Sequence, residues 1–163
     1  MGSRSTPALR VLAAAAVPVT VHEYAPPERP AGGRHAYGLE AAVSLGVDPS
    51  RIFKTLVARV DDRLVVAVVP VDGELDPKAL ATAVGGRRAV LADADEAERV
   101  TGYVIGGISP LGQRRRLPTV VDEAALALDR LLVSAGRRGL QVELEPGPLV
   151  ALTGAIVAPI ARR

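Results

Sequence analysis

The chain of 163 residues carries a formal net charge of +2, has no cysteine, and contains only two histidines, His22 and His35. This length fits one domain, residues 1–163, and the lack of cysteine excludes disulfides, thiolate metal sites and a cysteine nucleophile. Neither a metal nor another cofactor is expected, because two isolated histidines do not supply a ligand set.

The N-terminal part predicts four successive segments: a helix over 7–16, a short strand over 19–24, a loop rich in proline and glycine over 26–33, and a helix over 36–45 that ends at Gly46. The apolar run 11–17 is too short to cross a membrane. No membrane partner is therefore expected, and the cytoplasm is the expected location.

Two strands, 52–60 and 64–69, are separated by three polar residues, which predicts an antiparallel hairpin. Asp76 and Pro77 are typical of a helix N-cap and first turn, and Gly85-Gly86 ends that helix. A further short helix begins at Asp93 or Asp95.

The C-terminal part opens with residues 101–112, the densest run of loop-forming residues in the chain. The segments after it are predicted as a strand over 119–121, a short helix from about Glu123, strands over 131–134 and 140–144, a helix after Pro146 and an apolar segment over 155–160. This mixture of hairpins and helices predicts an α+β fold.

Positive charge is concentrated in short runs of arginine, at 87–88, 114–116, 137–138 and 162–163. Such runs suit contacts with phosphates, although surface arginines that keep a protein soluble are an equally good interpretation. The chain has only four aromatic residues, Phe53 and three tyrosines, so few side chains are available to stack on nucleic-acid bases.

No standard catalytic signature is present: the sequence lacks GxSxG, HExxH, a P-loop and a well-placed GxGxxG. Lysine occurs only at positions 54 and 78, against eighteen arginines. Lys54 lies within a predicted strand, where it is either an outward polar residue or a compact cation with a tunable pKa. Gly106-Gly107-Ile108 forms either a tight turn or a backbone that approaches a substrate oxygen closely.

Taken together, several motifs resemble, in order, the YbaK/EbsC aminoacyl-tRNA deacylases, which are relatives of the editing domain of bacterial prolyl-tRNA synthetases. The motifs are Phe53-Lys54-Thr55-Leu56, Val68-Val69-Pro70, residues 101–113, Arg116-Leu117-Pro118-Thr119 and residues 134–140. The resemblance runs from about Pro7 to Arg162. It implies a single domain with a mixed, curved central sheet, a partial barrel, flanked by helices.

The resemblance also implies a trans-editing enzyme that removes a mis-attached amino acid from tRNA, with Cys-tRNA(Pro) as the usual substrate and prolyl-tRNA synthetase as a partner. DNA is not an implied partner. The implied catalytic residues are Lys54 and the backbone amide of Gly106. The implied substrate contacts are Tyr24, Thr55, Gly107, Ile108, Ser134 and Gln141, and the implied tRNA contacts are Arg114, Arg115, Arg116, Arg137 and Arg138.

One position departs from the family pattern, because Gln141 stands where the family commonly has an aspartate. A neutral amide there affects how the substrate's α-amino group is held. The alternatives are therefore a deacylase of Ala-tRNA or of another mischarged tRNA, and a non-catalytic module that binds aminoacyl-tRNA or a synthetase.

Overall fold

A computed structural model describes residues 5–26 and 37–163. The helices in this part of the chain are short: α1 (Pro7–Ala14), α2 (Tyr37–Leu45), α3 (Pro77–Ala83), α4 (Ala94–Thr101) and α5 (Pro146–Thr153). The strands are β1 (Thr20–Glu23), β2 (Phe53–Val60), β3 (Arg63–Pro70), β4 (Glu74–Leu75), β5 (Ala89–Leu91), β6 (Thr119–Asp122), β7 (Leu131–Arg137), β8 (Leu140–Leu144), β9 (Ile156–Ala158) and β10 (Ala161–Arg162). Two 3-10 helical turns cover Pro49–Arg51 and Glu123–Ala127.

The largest sheet has five strands in the order β5-β2-β3-β6-β9 and is mixed, with β6 parallel to both β3 and β9. Strands β1, β8 and β7 form a separate antiparallel sheet, and β10 pairs with β4. A bridge between Ile52 and Leu132 brings the start of β2 against β7. The expected α+β fold with a mixed sheet is confirmed, and the sheet does not close into a barrel.

The core is aliphatic and lies on both faces of the β2–β3 hairpin. On one face, Phe53 and Val57 pack with Leu131 and Val133 of the three-stranded sheet. On the other face, β3 packs against Leu80 of α3. Because β3 is buried on both faces, its sequence is a continuous apolar run rather than an alternating one.

Most predicted helices and strands are present, with ends shifted by a few residues. The helix predicted to begin at Asp93 or Asp95 has Asp93 as its N-cap, and Asp76 caps α3 by accepting a hydrogen bond from the Ala79 N–H. Most of the predicted 26–33 loop lies outside the described residues. Within residues 5–26 and 37–163, no helix is both long and apolar enough to cross a bilayer.

Strand β5 is short, and this leaves part of β2 open. It pairs only with Ala58, Arg59 and Val60, and one further hydrogen bond joins the Ala92 N–H to the Val57 carbonyl. Because alternate residues of a strand direct their backbone groups to opposite neighbours, the N–H and C=O of Thr55 point to the same side as those of Val57. No strand of the described chain pairs with Thr55 on that side.

Asp122 fixes the C-terminal strand to the rest of the fold. Its buried carboxylate accepts hydrogen bonds from the backbone N–H groups of Ile160 at 2.9 Å, Ala161 at 3.0 Å and Ala124 at 3.0 Å. Strand β10 then pairs with β4, and Gly73 immediately precedes β4. The chain near Gly73 is thereby positioned beside the open part of β2.

Candidate active site

A cleft opens at the unpaired part of β2, where several segments of the chain meet. Strand β2, the start of α2, strand β5, helix α4, the loop after α4 and the three-stranded sheet each contribute residues. Its lining residues are Tyr37, Gly38, Ile52, Phe53, Lys54, Thr55, Leu56, Val57, Leu91, Ala97, Ile105, Gly106, Ile108, Ser134 and Gln141. Lys54 is the only charged residue among these lining residues of the described chain.

Lys54 and Thr55 lie on opposite faces of β2, but both border the cleft because it runs along the edge of the strand. The Lys54 ammonium is half-buried and donates a hydrogen bond to the Gly73 carbonyl at 3.1 Å. Burial lowers the pKa of Lys54, and the nearby Glu74 carboxylate partly offsets this. The result is a positioned cation that is easier to deprotonate than a solvated lysine.

Two buried oxygen atoms that border the cleft lack a hydrogen-bond partner within the described residues, Thr55 Oγ1 and Gln141 Oε1. Both residues are more than nine-tenths buried. Since buried polar atoms are nearly always hydrogen-bonded, these two atoms are free to accept a hydrogen bond from water or from a ligand.

Ser134 and Tyr24 surround Gln141. Ser134 lies opposite Gln141 in the β7–β8 pair, and its Oγ accepts a hydrogen bond from the Gly136 N–H at 3.2 Å. Burial raises the pKa of Tyr24, while the Gly139 backbone, Arg138 and the Gln141 side chain act to lower it. Tyr24 is not among the residues that line the cleft, and a contact between Tyr24 and substrate stays a prediction.

The loop at Gly106 forms the wall opposite β2. Gly106 has a φ of +90°, and a Cβ there would lie 3.0 Å from the ring of Tyr37, so this position requires glycine. The Gly107 N–H donates to the Val104 carbonyl at 2.9 Å, whereas the Gly106 N–H has no hydrogen-bond partner within the described residues. Ile108 also borders the cleft.

Gly107 is not among the residues that line the cleft. A Cβ on Gly107 would lie 2.6 Å from the Cα of Arg137, so the residue allows the loop to pack closely on β7. A direct contact between Gly107 and substrate stays a prediction.

Tyr37 is a lining residue that the sequence did not indicate as functional. The guanidinium of Arg138 lies over its ring at 4.8 Å from the centroid, and the same guanidinium pairs with Glu40 at 3.0 Å. Arg138 is thus engaged within the protein and supports the Tyr37 wall. A contact between Arg138 and a tRNA phosphate stays a prediction, as does one made by the partly buried Arg137.

Comparison with known proteins identifies the family. The family model described as "Aminoacyl-tRNA editing domain" matches residues 35–152, which is most of the chain. The chain belongs to the aminoacyl-tRNA editing family.

Among curated relatives of this editing family, the chain is 38% identical to an Enterococcus faecalis protein named as a candidate Cys-tRNA(Pro)/Cys-tRNA(Cys) deacylase, EbsC, over 98% of this chain and 95% of that protein. It is 32% identical to the proline--tRNA ligase of Moorella thermoacetica over 66% of this chain but only 19% of the ligase. This chain therefore resembles one part of that much longer enzyme.

Solved structures related to this editing domain cover nearly the whole chain. One, described as a candidate trans-editing enzyme for prolyl tRNA synthetase, has a TM-score of 0.78 at 29% identity and covers 99% of this chain and 100% of its own. Another, a hypothetical protein, has a TM-score of 0.84 at 28% identity, with coverages of 96% and 100%. The resemblance found in the sequence is confirmed.

Arg114, Arg115 and Arg116 are exposed and do not line the cleft. The backbone N–H groups of Arg114 and Arg115 donate to the carbonyls of Thr101 and Val100 at the end of α4. Arg115 and Arg116 border a groove with three further arginines that the sequence did not group with them: Arg59, Arg63 and Arg99. Two acidic residues, Asp62 and Glu96, also line this groove, and Glu96 pairs with Arg59 at 2.5 Å. The groove nevertheless has an excess of positive charge, which is suited to phosphates.

Proposed function

We propose that this protein is a trans-editing enzyme that removes cysteine from Cys-tRNA(Pro), with the substrate's own thiol as the nucleophile. Membership of the editing family makes the chain an aminoacyl-tRNA deacylase. The amino acid, the tRNA and the mechanism are the proposal. Prolyl-tRNA synthetase, which would release the mischarged tRNA, is the proposed partner, and the cytoplasm is the proposed location.

The composition of the cleft lining is the observation that supports this mechanism. Among the described lining residues there is one cation, Lys54, but no histidine, aspartate or glutamate that could serve as a general base. Ser134 Oγ already accepts a hydrogen bond, and no base lies beside it in the cleft lining. A site of this kind can orient and polarise an ester more readily than it can activate water or a serine.

In the proposed reaction, the substrate sulfur attacks its own ester carbonyl carbon and the carbonyl oxygen becomes an oxyanion. The carbon–oxygen bond to the ribose then breaks, the thiol proton passes to the departing ribose oxygen, and a cyclic thiolactone is released. The Gly106 N–H and the Lys54 ammonium are the available donors for the oxyanion. Because the attack is intramolecular, much of the entropic cost of bringing two reactants together is avoided.

The proposed role of Thr55 and Gln141 is to hold the α-amino group of the substrate. An ammonium supplies three donors, and the two unpartnered oxygen atoms are acceptors. A neutral Gln141 binds this cation less strongly than the aspartate common in the family, since a carboxylate adds a Coulombic attraction to the ammonium that a neutral amide lacks. Because intramolecular attack by the thiol needs a fixed orientation, a looser hold on the α-amino group weakens it more than attack by water. This favours a second candidate function, deacylation of Ala-tRNA or another mischarged tRNA by water.

Chemical modification of the substrate separates these functions. The purified protein is incubated with Cys-tRNA(Pro), with the same tRNA after S-alkylation, and with Ala-tRNA. Thiol-assisted cleavage predicts rapid loss of cysteine, no reaction after alkylation, and slow reaction with Ala-tRNA. Equal rates for the alkylated and free forms would refute the thiol mechanism, and Ala-tRNA as the best substrate would support the second candidate.

A further inference from the structure

Residues 104–107, which bring Gly106 to the wall of the cleft, form a type II turn. The Gly107 N–H donates to the Val104 carbonyl at 2.9 Å. Gly106 has a φ of +90°, whereas Ile105 has no positive φ, and this combination at the two central positions defines the turn type. The peptide between them directs the Ile105 carbonyl and the Gly106 N–H to opposite sides. The direction of that N–H is therefore set by how the turn is oriented.

The side chain of Glu98, in the last turn of α4, ties this turn to the helix. Its Oε2 accepts a hydrogen bond from the Ile105 N–H at 2.8 Å, and the pair is partly buried. The helix dipole disfavours an acidic side chain in the last turn of a helix. A carboxylate at this position therefore has to be stabilised from outside the helix, and the charge-assisted hydrogen bond from Ile105 does this.

Tyr37 and Glu98 restrict the turn in different ways. A Cβ on Gly106 would lie 3.0 Å from the Tyr37 ring, so the ring limits how closely the turn can approach α2. A flat ring does not fix the rotation of the turn, whereas a hydrogen bond is directional. Because rotation decides where the Gly106 N–H points, Glu98 is the group that sets this direction.

We propose that Glu98 is a positioning residue, which orients the turn so that the Gly106 N–H faces the reacting carbonyl in the cleft. This inference rests on the proposed function, in which that N–H is a donor to the oxyanion. Glu98 is not among the residues that line the cleft, so it acts through Ile105 and not on the substrate. Since an oxyanion forms whether the thiol or water attacks the ester, the role of Glu98 is the same for both candidate functions.

Two substitutions at Glu98 test whether its oxygen acts as a hydrogen-bond acceptor. Glu98→Ala removes the acceptor, whereas Glu98→Gln keeps an acceptor oxygen and removes the charge. Both are assayed on the best substrate among Cys-tRNA(Pro), its S-alkylated form and Ala-tRNA. Glu98→Ala should lower kcat about tenfold and leave KM within about twofold, because the misdirected contact is one made in the transition state. Glu98→Gln should retain at least about half of the wild-type kcat.

Asp95→Ala is the matched control on the same helix. Asp95 is exposed in the first turn of α4, where its carboxylate interacts favourably with the helix dipole. Its removal should weaken α4 without reaching the turn, so kcat should stay within about twofold of wild type. Thermal unfolding of every variant is measured alongside, which separates a loss of helix stability from a loss of positioning.

Hydrogen exchange of the Ile105 amide, followed by NMR on the full chain without substrate, gives a readout that is independent of turnover. Glu98→Ala should accelerate this exchange about tenfold, as expected when one hydrogen bond to a charged group is lost, and should shift the Gly106 amide resonance. Glu98→Gln and Asp95→Ala should leave both close to wild type.

An unchanged kcat in Glu98→Ala, an equal loss in Glu98→Gln or Asp95→Ala, or unchanged exchange at Ile105 would each overturn the positioning role. Failure of the proposed function is a separate result. If S-alkylated Cys-tRNA(Pro) were cleaved as fast as the free form and Glu98→Ala were still about tenfold slower, the thiol mechanism would fail and the role of Glu98 would stand. Thiol-dependent cleavage at equal rates by wild type and Glu98→Ala would keep the proposed function and overturn that role.

Discussion

Removal of the Lys54 ammonium should reduce deacylation strongly while leaving the protein folded. A unit positive charge about 4 Å from a developing oxyanion contributes about 4 kcal/mol at an effective dielectric constant near 20, and partial exposure to water reduces this to about 2–4 kcal/mol. This range corresponds to a loss of about 30- to 1,000-fold in kcat. Lys54→Met is the most informative change, because it keeps the apolar stem and removes only the charge.

The assay is single-turnover release of labelled cysteine from Cys-tRNA(Pro), with thermal unfolding measured alongside. Lys54→Arg should also lose most of the deacylase activity, since a planar guanidinium cannot replace a compact ammonium that donates to the Gly73 carbonyl. Lys78→Met is the control, because Lys78 is exposed at the start of α3. A Lys54→Met protein that retains more than half the wild-type rate would have lost under about 0.5 kcal/mol and would show that the ammonium has no part in the reaction.

Three further predictions concern selectivity, tRNA binding and stability. A firmer hold on the α-amino group orients the cysteinyl thiol toward its own carbonyl but gives alanine no nucleophile, so Gln141→Asp should raise kcat/KM for cysteinyl relative to alanyl tRNA by about tenfold. Unchanged relative rates would show that this position does not govern selectivity. Replacing Arg114–Arg116 by alanine should weaken the binding of all tRNAs alike and reduce the slope of log K against log salt concentration by about 2–3. A loss of affinity confined to one tRNA would contradict phosphate contacts. Burial tends to raise the pKa of Glu143, but the His22 hydrogen bond and Arg51 outweigh it and hold the pKa below the usual 4.5. Glu143→Gln should therefore lower the free energy of unfolding by about 1–2 kcal/mol above pH 4.5, and this loss should disappear as the pH falls below the native pKa. A loss of stability that is independent of pH would contradict the ion-pair explanation, as would an equal loss in the control Asp129→Asn, which changes an exposed carboxylate.

The sequence predicted the β2–β3 hairpin because both strands are long and rich in β-branched residues. It did not predict β4, β5 or β10, which have two or three residues each and whose pairing depends on distant segments. Asp122 illustrates the cause, since it binds backbone groups thirty-eight and thirty-nine residues further along the chain.

The family resemblance pointed to residues that the fold brings together. Lys54, Thr55, Gly106, Ile108, Ser134 and Gln141 all border one cleft. The Gly73 carbonyl that holds Lys54 is a backbone group and has no side-chain signature in the sequence. Arg138 shows the opposite difficulty: a pair of adjacent arginines suggests an exposed cation, but packing directs this guanidinium onto Tyr37 and Glu40.

The scarcity of lysine gives the protein a chemical property that follows directly from the position of Lys54. An amine reacts with acylating reagents only when it is unprotonated, and burial lowers the pKa of Lys54. At mildly alkaline pH, a small amine-reactive ester should therefore modify Lys54 in preference to the one other lysine side chain. Such a reagent would count the molecules in a preparation whose cleft is correctly folded.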